Sequence, residues 1–541
     1  MEPPYVEYDA HRQPLDYVPL QLGPAIYDDN GDLVWGGSSK VNNRNTFDFR
    51  AFQIDGQDYL SYMVSPRRWT GDEHQSGARI VLDATFSEVS RLTEDASENF
   101  NCHEFSVREN GQRSLHFFSM INNSDVSAMD WTGTGIAPVV YDCFRQVNLT
   151  SKVEDFVWCP QDHGVQLTEA TIQTPGQMGK PGDPWDFFHS NSIDKFDNGD
   201  FIISARHVST IYRIHGSSGA IVWRLGGKFS DFHMDFNFSA QHHAIIHSEN
   251  ATTVILSLFD NAAENEGRQS PTDSVSSAKM VALHLDTEPK TAKLLQVWYR
   301  PDGQVTPARG SASVLPNGNM LIGWSTEGYM SEHTATGDLV LEARFSAANY
   351  ATYRALKFNL TSNPIESPVI ESFVTQVHGG TGARSTTAMY ASWNGATEVA
   401  SWKFYGSHSA NSGFLLLDQV NKTGFETSLV YDGAWTYTYA EAISLTGAVL
   451  RRTATKSTGA AAAQSSDHLD TTGPRAGSRR RQQVDHMSVV IVASMSLGVL
   501  LALLYKKVLR CVHLPLIIER CMGDSENQVR LLSDTDSIKG Q

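Results

Sequence analysis

The segment HSNSIDKFDNGDFIIS, His189 to Ser204, decides the fold. It reads as a first run, an Asn-Gly turn, then an apolar second run, and Asn-Gly between two such runs is a strong hairpin signal because the turn needs positive φ. The frame returns in HEFSVRENGQRSLHFF around Asn110-Gly111 and in GSASVLPNGNMLIGW around Asn317-Gly318. It also fits FQIDGQDYLSYM around Asp55-Gly56, AIIHSENATTVILSL around Asn250 and AMYASWNGATEVASW around Asn394-Gly395. A second hairpin completes the unit, as in STIYRIHGSSGAIVWRLGG (Ser209 to Gly227) and SEHTATGDLVLEARF (Ser331 to Phe345). The unit recurs about every 40 to 70 residues, a period that suggests propeller blades.

GPAIYDDNGDLVWGG, Gly23 to Gly37, carries only the second half of the unit. In a closed ring such an orphan hairpin is expected to complete a blade begun by strands from the chain's end, hiding an open edge. The reading is therefore an all-β, six-bladed β-propeller over residues 23–449, after an N-terminal extension, 1–22.

Beyond Val449 the pattern stops, and 450–486 reads as a flexible, disordered stalk of small, polar and basic residues. Met487 to Tyr505 is an uncharged apolar run of about the ~20 residues that cross a bilayer as a helix, which predicts one C-terminal transmembrane helix and a short polar tail, 506–541. Arginines and lysines flank it on both sides, so the positive-inside rule is a tie. Sequons at Asn122, Asn148, Asn237, Asn250, Asn359 and Asn421 favour a glycosylated propeller outside the cell or in the secretory lumen, with the tail cytosolic. The start, MEPPYVEYDAHRQPL, shows no signal peptide. Ser494, Gly498 and Ala502 form a small-residue stripe that would let two helices pair as a homodimer, although ordinary lipid-facing residues explain it more simply.

The net charge of −17 argues against nucleic acid as a partner, since no broad basic face is left to displace phosphate counterions. Cys102, Cys143 and Cys159 lie close in sequence. One bridge among them, such as Cys143 to Cys159, or three free thiols are equally compatible with the spacing.

Counting eight residues back from each turn gives Asp48, His103, His242, Gly310 and Thr387, and the longer Asn198 turn puts His189 ten back. Three successive blades then open their innermost strand with histidine, and in a propeller those strand starts ring one mouth of the channel. Arg206 and His207 close the hairpin of His189, so antiparallel pairing returns them to the same rim. Asp260 and Asn261 hold the corresponding place in the next blade. One histidine in a β-repeat is usually a satisfied hydrogen-bonder, but three in register beside an arginine suggest an anionic ligand. A metal is not expected: His243 and His247 share a strand face but stand about 13 Å apart along it. DKFDNGD, which resembles a calcium loop, has Phe196 where an oxygen ligand is needed.

These segments, above all the H-x-N-S-I-D to S-A-R-H block, FNFSAQHHA and SLFDNA, resemble the arylsulfotransferase family, particularly its fungal membrane-associated branch. The resemblance covers about Gly23 to Gly433. It implies a six-bladed propeller that moves a sulfuryl group from an aryl sulfate donor to a phenolic acceptor without PAPS or another cofactor, through a sulfated histidine. Carried over by motif, the catalytic set is His242, His189, Arg206 and His103, and the substrate-binding set is Asn191, His207, His243 and Asn261. His243 stands where relatives usually have Asp or Thr, which leaves His242 and His243 both open as nucleophile, with strand register favouring His242. The competing reading is a membrane-tethered propeller that binds an anion or a protein and has lost catalysis.

Overall fold

Ser190–Lys195 and Phe201–Ala205 pair antiparallel, as the opening segment predicts. Phe196 N donates to Asp200 O at 2.8 Å and Gly199 N to Phe196 O at 2.9 Å, with Gly199 at φ +94°, a conformation open to glycine at little cost. Side chains alternate: Phe201, Ile203 and Ala205 join one core cluster, while Ile202 joins another. A strand buried on both faces must lie between two packed layers.

The computed structural model describes residues 23–460 except 43, 66–76, 94–97, 130–134, 172–183, 264–270, 346–350 and 380–381. The described chain is all-β, its helical content limited to short 3-10 turns. A hairpin, β1 (Ala25–Tyr27) and β2 (Leu33–Gly36), comes first. Sheet one follows, β3 (Thr46–Ile54), β4 (Gln57–Val64), β5 (Ala78–Asp83) and β6 (Glu88–Leu92). Sheet two is β7 (Asn99–Arg108), β8 (Arg113–Asp125), β9 (Ile136–Asn148) and β10 (Glu154–Trp158), with β11 (Trp185–Asp186) parallel to β9. Sheet three is β12 (Ser190–Lys195), β13 (Phe201–Ala205), β14 (Thr210–Ile214) and β15 (Ile221–Gly226). Sheet four holds β16 (His233–Met234), β17 (His242–Glu249), β18 (Thr253–Asp260), β19 (Ser277–His284) and β20 (Thr291–Tyr299). Sheet five is β21 (Ser311–Val314), β22 (Met320–Gly323), β23 (Met330–His333) and β24 (Leu339–Ala343).

In all five sheets the four main strands are hydrogen-bonded in chain order, as an antiparallel meander. A separate core lies between each successive pair. Phe105 meets Met63 and Val81 between sheets one and two. Phe117 and Phe144 meet Phe201 and Ile203 between sheets two and three, and Trp223 and Leu225 meet Leu256 and Leu283 between three and four. Phe259 and Trp298 meet Ile322 and Trp324 between four and five.

The sixth expected blade is a different object. β25 (Val369–Gly379) and β26 (Gly382–Ser392) pair with β29 (Glu426–Asp432), while β27 (Ser401–Ser407) pairs with β28 (Leu415–Asn421) and β30 (Tyr437–Ile443), which carries β31 (Val449–Arg452). Met389 and Ala391 of the first sheet share a core with Trp402, Phe404 and Ala440 of the second. The Asn394-Gly395 turn joins two sheets rather than two paired strands, so the hairpin signal there was misleading. Thr387, expected at the rim, is buried mid-strand in β26 with its hydroxyl on Gly433 O.

Hairpin β1–β2 forms its own two-stranded sheet and is held by Gly395 N on Val34 O and by Asn394 Oδ1 on Gly36 N. Between sheets five and one runs an extended segment near residues 352–363. Ala355 N donates to Ser311 Oγ, Phe358 and Leu360 pack against Leu60 and Ile80, and Thr361 N donates to Asp58 Oδ2.

Cys143 and Cys159 form a disulfide and Cys102 stays a free thiol, which resolves the open pairing. The expected single-pass membrane protein is corrected: among the described residues no helix is long and apolar enough to cross a membrane. Residues 487–505, on which that expectation rested, lie outside the described residues, as do the tail and the stalk beyond residue 460. The stalk's expected start at 450 is corrected: Val449–Arg452 and Lys456–Ser457 pair with β30 and Gly459–Ala460 with β25, so backbone pairing carries the fold past the end of the apolar pattern.

Candidate active site at the strand starts

The first strands of the sheets stand side by side, β3 against β7, β7 against β12, β12 against β17 and β17 against β21. Four of them begin irregularly: register slips between Phe47 and Arg50, Phe100 and Phe105, Ser190 and Ser192, and His242 and Ile245. Asp48, His189 and His243 adopt left-handed φ of 49°, 52° and 52° at or beside these slips. Bulges re-aim side chains, and a non-glycine residue at such φ costs about 1–3 kcal/mol, a recurrent feature of functional sites.

Four imidazoles share one arrangement: each turns Nδ1 to an oxygen acceptor. His103 faces Asn101 Oδ1 at 2.8 Å and His189 faces Asp186 Oδ2 at 2.5 Å. His207 faces Asp186 O at 2.6 Å, and His242 faces Asn261 Oδ1 at 2.6 Å and Ala240 O at 3.0 Å. Oxygens of these types only accept, so each Nδ1 carries a proton, and in the neutral rings of His103, His207 and His242 the Nε2 keeps its lone pair. The Asn261 amide is fixed by Nδ2 donating to Thr306 O and Arg309 O. Asn101 is fixed by Nδ2 donating to Asp142 Oδ1 and Ser119 Oγ. Among the described residues, His242 Nε2 receives the backbone N–H of Arg309, at 3.3 Å.

The rings of His103 and His189 meet edge to face at 4.6 Å, and those of His189 and His207 lie 4.4 Å apart. Arg206 N donates to His189 O, which puts the pair side by side as expected. Its guanidinium spans His207 Nε2 at 2.8 Å and Pro307 O at 2.9 Å.

Two of the expected site residues bond to neighbouring strands. Asn191 is fully buried and staples β12 to β17, Nδ2 on Gln241 O and Oδ1 under His243 N. Its amide is thus engaged by backbone. The His243 ring turns to β21, Nδ1 against Ala312 O at 3.0 Å and Ala312 N at 3.2 Å. The second nitrogen of His242 faces the Arg309 N–H instead, and the Arg206 charge helps keep that ring neutral.

Sequence reasoning missed three members. Asp186 stands three residues before His189, and Asn101 two before His103; proximity in sequence was their only signal. Arg354, from a stretch without turn or period, is the hub. Its guanidinium bonds Asp48 Oδ1 at 2.5 Å, Glu104 Oε2 at 3.0 Å, His103 O at 3.2 Å and Asn191 O at 2.8 Å. Arg50 bonds the same two carboxylates, closing a buried, charge-balanced cluster that ties β3, β7 and β12 together.

Electrostatics keep most of the imidazoles neutral. Burial, then Arg206, hold His242 well below the ordinary histidine range. Burial, then His189, do the same for His103 and His207, and burial with Arg354 for His243. Burial pushes Asp142 up to about 6, helped by Asp186. Burial alone would raise Asp186 too, but His189 and His207 outweigh it and hold its carboxyl below the usual range.

Asp186, His189 and His207 cluster as metal ligands would. His207 spends Nδ1 on a carbonyl and Nε2 on a guanidinium, however, and a cation beside Arg206 would be repelled.

Fold and site define an all-β protein in which stacked meanders bring imidazoles and a guanidinium to one edge. Residues 142–346 match the family model described as Arylsulfotransferase (ASST). The match contains His189, Arg206, His242 and Asn261, whereas His103 and Arg354 fall outside it. No curated protein matches the chain. Among solved structures, a Bacteroides caccae protein of unknown function is 11% identical, covering 61% of this chain and 92% of its own, with a TM-score of 0.33. A mutant of the GH43 protein BlXynB from Bacillus licheniformis is 9% identical over 76% and 89%, with a TM-score of 0.29. Hsv2 of Kluyveromyces lactis is 7% identical over 69% and 99%, with a TM-score of 0.21. Likenesses this distant carry no argument about this chain.

Proposed function

We propose that the protein moves a sulfuryl group from an aryl sulfate to a phenol, through a sulfohistidine on His242, without PAPS. One observation carries this reading: within the arylsulfotransferase match, burial and the Arg206 charge keep His242 neutral, with its Nδ1 proton facing Asn261 and its Nε2 turned to the Arg309 N–H. A neutral, oriented imidazole is the form that attacks sulfur. In this reading the five meanders are blades of a propeller, and the first-strand starts ring its mouth.

In the first half-reaction Nε2 of His242 bonds to sulfur as the sulfur to aryl-oxygen bond breaks. Arg206 and the Arg309 N–H stand where charge on the sulfuryl oxygens is redistributed. In the second, a phenol oxygen attacks sulfur and the electron pair returns to Nε2. Asn191 acts by fixing the strands rather than by holding the sulfuryl group.

Incubation with 4-nitrophenyl sulfate and a phenol should release nitrophenol, and quenching before acceptor is added should leave an acid-labile sulfuryl mass gain on the His242 peptide. Absence of both, with retained binding of the aryl sulfate, would leave an anion-binding protein without catalysis.

A further inference from the structure

The imidazoles of the site differ in what their Nδ1 proton meets. His103 and His242 meet neutral amide oxygens, and His207 a backbone carbonyl with a guanidinium on its far nitrogen. Among these rings His189 alone hydrogen-bonds a carboxylate side chain, Asp186 Oδ2 at 2.5 Å, from which His207 Nδ1 stands off at 3.9 Å. The other oxygen of that carboxylate, Oδ1, makes no hydrogen bond among the described residues, so its charge is directed chiefly at His189.

The carboxylate is built in rather than incidental. β11 lies parallel to β9, with Asp186 opposite Val140, and the neighbouring Trp185 is buried in the core shared by sheets two and three. His207 holds the Asp186 carbonyl from the other side. His189, at its left-handed φ, is wedged between the rings of His103 and His207. Neither partner has freedom to drift.

Resting on the sulfuryl-transfer reading, we infer that Asp186 is a positioning residue that makes His189, and not His103, the proton donor to the leaving phenoxide and the acceptor of the incoming phenol's proton. A carboxylate stabilises an imidazolium and fixes its orientation, whereas a neutral amide fixes orientation alone. Imidazolium His189 carries Nδ1–H to Asp186 and Nε2–H to the site. As His242 Nε2 bonds to sulfur, the electron pair of the breaking sulfur–oxygen bond passes to the phenoxide, which takes the Nε2 proton of His189. His189 is then neutral and receives the acceptor phenol's proton as that oxygen attacks sulfur and the pair returns to His242. The cycle closes without a further reactant.

The test compares aryl sulfates whose leaving groups differ in their need for a proton. Phenol release is read in the first half-reaction alone, in a single turnover before any acceptor is added. In Asp186→Asn, release from 4-methylphenyl sulfate should slow on the order of 100-fold, the usual contribution of a general acid. Release from 4-nitrophenyl sulfate, whose phenoxide departs unaided, should change by no more than about 3-fold, and the His242 peptide should still gain its sulfuryl group. His103→Ala should depress both substrates alike. Equal losses on both substrates in Asp186→Asn would overturn the inference, as would a leaving-group dependence that appears in His103→Ala instead. Bound zinc that tracks with Asp186 and is needed for turnover would also overturn it. Failure of the unaltered protein to transfer sulfuryl groups from either substrate would instead sink the parent reading.

Discussion

At the scale of single residues, the site works through which atom each imidazole offers. His242 presents Nε2 because Asn261 occupies Nδ1, so Asn261→Ala should free the ring to take the wrong tautomer or rotate. Sulfuryl transfer is expected to fall on the order of 100-fold, in kcat more than in KM, while His242→Asn should drop to background. The sign of the pH effect follows from burial: His242 is active when neutral, and its pKa lies well below the ordinary histidine value near 6.5. The kcat/KM profile should therefore stay level as pH falls through 6.5 and turn down only at a lower pH. The strand-end places of His103, His189, His242 and Arg206 were legible in the sequence because each can be counted from a hairpin turn. Asp186 and Arg354 belong to segments without period, and only three-dimensional proximity gives them roles.

At the scale of elements, turn glycines differ in what surrounds them. A Cβ on Gly199 would meet nothing within 4 Å, so Gly199→Ala should cost about 1 kcal/mol from its φ of +94° alone. A Cβ on Gly310, at φ +114°, would fall 2.5 Å from the Phe259 ring, in the core between sheets four and five. Gly310→Ala should be the more damaging change in a denaturant titration. The bridge between Cys143 in β9 and Cys159 just past β10 closes a 16-residue separation, and its removal should cost about 3 kcal/mol. The meanders were legible because Asn-Gly and Asp-Gly demand hairpin turns. The last unit was not, since Gly395 uses the same positive φ to pack on Phe86 and Trp35 beside hairpin β1–β2, and strand partners are chosen by burial rather than by turns.

For the whole molecule, several buried imidazoles make stability depend on pH. His103, His116, His207, His242 and His243 all have folded pKa values below the ordinary value, so the unfolded chain binds more protons. Their contribution is complete above about pH 6.5 and is lost progressively below it, so Tm should fall between pH 7 and 5. Arg354→Met would leave Asp48 and Glu104 sharing Arg50 alone in the interior. Such a loss typically costs about 3–5 kcal/mol, readable as a lower denaturation midpoint.

Arg354 also sets a temporal order. The carboxylates it neutralises belong to Asp48 and Glu104, some three hundred and two hundred and fifty residues earlier in the chain. During synthesis the five meanders emerge from the ribosome one after another, each able to pack on its predecessor, while the acidic centre waits for the segment after sheet five. A nascent chain halted before residue 354 would hold its sheets and lack their common anchor, so translation through that position is the event that locks the assembly.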